Sequence, residues 1–240
     1  MGIAAGPNKD LQDMNTRVRA FLKAAARGES GRLLKALDGD PSLLDARDQG
    51  ESTVLMVAGE CGHCSAVSIL LSRGAKTDEV DSEGRTALHR AAGRGGNGAV
   101  IRVLLEAGSQ IDAVDHLGRT ALMEASSLGD IDNVGRILQG GPDLEIATSE
   151  DETALTFGIV NGTVRVVKLL LQSGASAIRI DSGGWTPLIY AVQASDIGKV
   201  KLLLNANATV EHGDKFGLTP LQHAIRLGDS EIIELLKQSK

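Results

Sequence analysis

The chain has 240 residues, 42% hydrophobic but only 2% aromatic, with a formal net charge of −6, so any core must be assembled from small aliphatic side chains. That apolar content excludes a disordered acidic chain, no run reaches the roughly eighteen apolar residues of a membrane span, and the negative balance excludes a general attraction to nucleic acid or anionic lipid. Two cysteines cannot build a disulfide framework, and residues 1–10 lack the apolar core of a signal peptide, so the expected compartment is the cytoplasm, with the nucleus as the alternative.

In chain order, residues 1–15 read as a flexible N-terminal segment. Residues 16–46 read as an N-terminal cap, in which Phe21, Ala24, Ala25 and Gly28 keep an apolar phase while Arg17, Arg19, Lys23 and Arg27 face water. Six tetrapeptides then recur, beginning at Thr53, Thr86, Thr120, Thr153, Thr186 and Thr219, at intervals of 33, 34, 33, 33 and 33 residues. The extra residue falls among Gly95, Gly96, Asn97 and Gly98, because Leu104-Leu105 is displaced with it. Self-similarity at this period is the mark of a repeat architecture.

Each unit reads as turn, helix, tight turn, helix. Threonine is a good N-cap, its hydroxyl accepting from an otherwise orphan N–H. Pro187 and Pro220 follow at the first helical position, where a missing N–H costs nothing. Five residues past each Thr lies only Ala or Gly (Ala58, Ala91, Ala125, Gly158, Ala191, Ala224), which predicts close helix approach. Nine residues past it, Gly62, Gly95, Gly129, Gly162 and Gly228 predict left-handed helix ends, with Ser195 the exception. Val67, Ile101, Val134, Val167, Val200 and Ile233 mark the buried stripe of the second helix. Asp81, Asp115, Asp181 and Asp214, each three residues before a Gly, predict turns in which the carboxylate takes backbone N–H groups. One such unit cannot bury its own apolar face, so units must stack. The C-terminal helix carries Glu231, Glu234 and Lys237, which can solvate that end.

The stretch Asp81-Ser-Glu-Gly-Arg-Thr-Ala-Leu-His-Arg-Ala-Ala92 carries the resemblance. The chain resembles the ankyrin-repeat family over residues 17–240. The resemblance implies an all-α repeat solenoid of stacked helix-turn-helix units with hairpin-like loops and polar terminal caps, forming one domain over 16–240. It also implies a concave binding surface of loop tips and first helices. In the family a histidine after the Thr helps to hold the turn. Here only His89 occupies that position, and Met56, Met123, Thr156, Ile189 and Gln222 replace it, which predicts looser turns. Repeat four has Thr148 and Asp151 where Asp and Gly are expected, which leaves its loop geometry open.

Two motifs invite enzymatic readings. Cys61-Gly-His-Cys64 is spelled like a thiol-disulfide redox site, which needs a thiol acidified at a helix N-terminus. Its glycine and histidine are also what an ankyrin turn carries, so the redox enzyme stands as the alternative reading. Gly93-Arg-Gly-Gly-Asn-Gly98 matches a nucleotide-binding glycine pattern, but it follows a helix rather than a strand. No catalytic, metal or cofactor residue is assigned.

Stacking consumes the core positions, so a partner must be met by the positions that the repeat leaves free. These are zoned. Arg85, Arg90 and Arg119 form a basic zone, Glu150, Asp151 and Glu152 an acidic one, and Trp185, Tyr190, Phe216 and Leu218 an aromatic and apolar one. The charged zones also read as plain solvated faces. The resulting expectation is a non-catalytic module (adaptor, scaffold or regulatory subunit), monomeric by itself. It would bind a protein or peptide across repeats two to six, and neither nucleic acid nor a membrane.

Overall fold

A computed structural model describes the backbone of residues 7–239 and side chains from residue 14 to 239. Of the segment 1–15, residues 1–6 lie outside the described residues, and α1 begins at Pro7.

The chain divides into two compact units, Met1–Ile111 and Asp112–Lys240. The first holds α1 (Pro7–Ala26), α2 (Ser30–Gly39), a 3-10 turn (Pro41–Asp45), α3 (Val54–Glu60), α4 (Cys64–Ser72), α5 (Ala87–Ala92) and α6 (Gly98–Glu106). Helix α1 packs on α3 and α3 on α5, while α2 packs on α4 and α4 on α6. The second holds α7 (Ala121–Leu128), α8 (Ile131–Gln139), α9 (Ala154–Val160), α10 (Val164–Gln172), α11 (Pro187–Gln193), α12 (Ile197–Asn205), α13 (Pro220–Leu227) and α14 (Ser230–Gln238). It repeats the same scheme, first helix on first helix and second on second. Among the described residues there is no strand. Two isolated bridges, Arg47 to Thr53 and Val114 to Thr120, close loops.

All six marker threonines are N-caps. The Thr turn is not loosened by loss of histidine. The N–H of Thr86 donates to His89 Nδ1 at 3.2 Å, and the same N–H finds Met56 Sδ at 3.3 Å, Met123 Sδ at 3.4 Å, Thr156 Oγ1 at 3.4 Å and Gln222 Oε1 at 2.8 Å. Sulfur and oxygen acceptors take over the role of the imidazole, and of the replacements only Ile189 offers none.

The small-residue column is fully buried, as Ala58, Ala91, Ala125, Ala191 and Ala224 show. So is the second-helix stripe from Val67 to Val200, whereas Ile233, in the sixth repeat, is half-buried. The glycine column needs correction. Gly62, Gly129 and Gly228 are left-handed as expected, but the inserted residue passes this role from Gly95 to Gly96, and Ser195 adopts it at φ 49°. Gly162 is not left-handed at all. It is required for close approach, since a Cβ there would lie 2.3 Å from the carbonyl oxygen of Ser126.

Polar staples tie consecutive repeats within each unit. In the first, His63 Nε2 bonds the Ala26 carbonyl at 3.0 Å, and Asn97 Nδ2 reaches the Gly59 carbonyl at 3.1 Å. In the second, Lys199 is 5% exposed and its Nζ donates to the carbonyls of Ile159 at 2.7 Å and Gly162 at 3.0 Å. Each staple satisfies carbonyls that the end of the preceding first helix leaves without an intrahelical partner.

Candidate protein-binding surface

Except in repeat four, the loops before the threonines are built around one aspartate each. Asp81 Oδ1 accepts from the N–H groups of Glu83 and Arg85 at 2.9 and 3.0 Å. Asp115, Asp181 and Asp214 repeat the pattern with the residues two and four positions on. In repeat four the Thr148 hydroxyl takes the same two N–H groups, from Glu150 and Glu152, both at 3.3 Å, and Asp151 adopts φ 63° where the loops of Asp81, Asp115, Asp181 and Asp214 have Gly and the first loop has Glu51 at φ 60°. The loop geometry that its sequence left open is therefore kept.

The second oxygen of each aspartate decides what the neighbouring side chains can do. In the first unit, Arg85 Nε donates to Asp81 Oδ2 at 3.1 Å, and Arg90 lies 3.5 Å from the same oxygen while pairing with Glu60 at 2.6 Å. In the second unit, Arg119 gives Nε and Nη2 to Asp115 Oδ2 at 2.9 and 2.7 Å and pairs with Glu124 at 3.0 Å. Tyr190 donates its hydroxyl to Asp181 Oδ2 at 2.6 Å, and His223 Nε2 meets Asp214 Oδ2 at 3.0 Å. Three predicted contact arginines and the predicted tyrosine are thus engaged in holding their own loops. The arginines of the predicted basic zone also brace their own loops.

Repeat four lacks that second oxygen, because Thr148 has a single hydroxyl. Its neighbours are correspondingly Glu152 and Phe157 rather than a cation and a hydrogen-bonding ring. Among the described residues neither Glu150 nor Glu152 has an ion-pair partner, while Asp151 lies 3.8 Å from Arg179. The Glu152 carboxyl is held above its ordinary value by burial, then by Glu150 and Asp181, so the negative charge here is uncompensated. A groove of about 260 Å³ opens beside it, lined by Leu117, Arg119, Ser149, Glu150, Glu152 and Phe157. Phe157 was not among the predicted contact residues. Its position four after the Thr, shared with Arg90, Tyr190 and His223, was the signal available.

The aromatic zone splits. Trp185 is half-buried, its ring 5.0 Å from Tyr190 and 5.7 Å from His223 at tilted angles, so its faces are covered by its own repeat and the next. Leu218 is half-buried as well. Phe216, at the tip of the last loop, is 75% exposed with Lys215 Nζ 5.4 Å above its ring, and Leu117 at the equivalent tip is 63% exposed. Both stand on backbone clamped by an aspartate.

The redox motif has the wrong setting. Cys61 caps the C-terminal end of α3 and Cys64 begins α4, and both are free thiols. Burial, then Glu60, push the Cys61 thiol above its ordinary value against the opposing pull of Arg94 and Arg90, so the thiolate is disfavoured. Nothing here supports the redox reading. The glycine-rich stretch is the turn between α5 and α6, and its Asn97 is committed to the staple. Among the described residues no three of His, Cys, Asp and Glu are grouped to hold a metal, and no helix is long and apolar enough to cross a membrane.

The loop carboxylates give the fold a defined acid limit. Burial pushes Asp81 and Asp115 upward, but backbone N–H groups and the arginines outweigh it and hold both below the ordinary carboxylate range; Asp214 is lowered likewise by the N–H groups of Leu218 and Phe216 and by His223. A depressed folded value means stability that is fully present above the unfolded value, about 3.9, and is lost as pH falls toward the folded one. The melting temperature should therefore drop steeply below about pH 4. Asp115→Asn, which keeps Oδ1 as an acceptor, should flatten part of that drop. An acid limb identical to wild type in that variant would contradict the assignment.

Two-helix units packed first helix on first helix and second on second, with clamped loops between them, define a helical repeat-protein class. Residues 21–115, 94–182, 122–214 and 179–240 match the family model described as ankyrin repeats (3 copies). The chain belongs to the ankyrin-repeat family, whose members generally act as protein-binding modules. Its fold is similar to the crystal structure of the human ASB11 ankyrin repeat domain, with a TM-score of 0.79 and 24% identity over 92% of this chain and 97% of that one. No curated protein matches the sequence.

Proposed function

We propose that this chain is a non-catalytic binding module, an adaptor or scaffold of the cytoplasm, whose second unit grips a polypeptide on the loop tips around repeats three to six. The observation that carries this reading is the pair of apolar tips, Leu117 and Phe216, exposed at 63% and 75% on loops whose backbone is already rigid. A preorganised apolar anchor loses little entropy on binding. Between them, the uncompensated Glu150 and Glu152 beside Phe157 favour a partner segment that combines a basic side chain with an apolar one. Trp185 and Tyr190 support this face from behind more than they form it.

The partner is to be identified by capture with the full chain, followed by calorimetric titration of wild type and Phe216→Ala. An exposed aromatic that acts as a hot spot should cost about 2 kcal/mol or more of affinity on truncation. Phe216 touches solvent rather than core, so the variant should melt with the wild type. Undiminished affinity with an intact fold would remove Phe216 from the site.

A further inference from the structure

The two ends of the repeat series carry open faces in matching register. Counting from each marker Thr, the first residue after it and the thirteenth lie toward the preceding repeat. The first-position oxygen of Ala87 is 3.6 Å from where a Gly59 Cβ would stand, and thirteenth-position Lys199 bonds carbonyls of the repeat before it. The first position is buried at Val54, Ala121, Ala154, Pro187 and Pro220. Aligning Gly28 with Gly62 places Ala20 and Arg32 at these positions in the first repeat, and both are exposed. They border an open groove of about 580 Å³ whose floor includes Phe21, Ala24, Ala36 and Leu43.

The opposite face opens in the last repeat. The sixth position is buried at Gly59, Ser126, Ile159 and Val192, yet Ile225 is 56% exposed. Gln222 is exposed and Ile233 half-buried, where their counterparts in earlier repeats are buried. The polar cap predicted for this end is thus incomplete.

We propose that the last repeat of one copy seats on the first repeat of a second copy, continuing the stack head to tail. The register supplies the contacts. Lys199 caps the carbonyls six and nine residues after the preceding Thr, so Arg32 falls on the carbonyls of Ile225 and Gly228 in the other copy. Lys201 pairs with Glu231 of the next repeat at 3.4 Å. The same offset sets Glu234 beside Gly31, flanked by Arg32 and Lys35. By the offset that sets Gly59 against Ala87 and Ala91, Ile225 then covers Ala20 and Ala24. A contact between two different faces does not close on itself, so association is open-ended. This departs from the expectation of a monomer and is independent of the loop-tip partner.

Sedimentation equilibrium of the full chain tests it. The wild-type weight-average mass should climb with concentration beyond that of two chains. Ile225→Glu blocks one end and Ala36→Glu the other, so each alone should stay monomeric while their equimolar mixture stops at the dimer. Arg32→Glu, at a side chain that is 75% exposed and pairs with Glu29 at 2.8 Å, serves as the second block of the groove should Ala36→Glu fail to fold. A wild type that stays monomeric throughout, a blocked variant that still climbs alone, or a mixture that stays monomeric would each overturn the proposal.

Discussion

Gly162→Ala should be among the most damaging single-methyl changes in this protein, at about 3 kcal/mol or more. The added Cβ would lie 2.3 Å from the Ser126 carbonyl oxygen and 2.9 Å from that of Gly158. Both obstacles are backbone, one in the preceding repeat, and neither can turn aside as a side-chain tip would. Relief requires the two repeats to separate, which opens a packed seam at interior density. The comparison that isolates this cause is Gly228→Ala. There φ is 74° and nothing lies within 4 Å of the new methyl, so only the left-handed backbone is penalised, by roughly 1–2 kcal/mol. Urea denaturation of both variants measures the difference. Equal losses would mean that close approach is not the reason for Gly162.

Lys199→Met should cost about 2–4 kcal/mol. Methionine keeps the length, the helix propensity and much of the packing, so the loss reports the ammonium. It leaves the carbonyls of Ile159 and Gly162 without their donor and removes the partner of Asp196 at 3.4 Å. Asp196→Asn is the control. Its side-chain oxygen still caps the N–H of Lys199, held at 3.0 Å by the wild-type residue, and the loss should stay below about 1 kcal/mol because that carboxylate is partly solvated. If both variants lose the same, the ion pair within α12 accounts for the effect of Lys199, and the carbonyl staple across the seam contributes nothing measurable.

These two positions show where sequence reading stopped. Thr53 and its five counterparts were legible because an N-cap is satisfied within four residues. The loop aspartates were legible for the same reason. Gly162 was placed in the right column for the wrong cause, since a left-handed glycine and a crowded one are the same letter. The staples of Lys199 and Asn97 have no signature in the repeat pattern, because the Ile159, Gly162 and Gly59 carbonyls that they bond lie about forty residues away across a repeat boundary. Arg85, Arg90 and Arg119 read as free cations because pairing depends on the second oxygen of an aspartate whose orientation no spacing reveals.

From the letters alone came the period, the capped helices, the apolar stripes that demand stacking and the family, all of which rest on contacts between residues close along the chain. Which charges are already neutralised, which tips remain bare and how the ends of the stack are finished were decided only by folding. A side chain's availability depends on what the adjacent repeat brings against it.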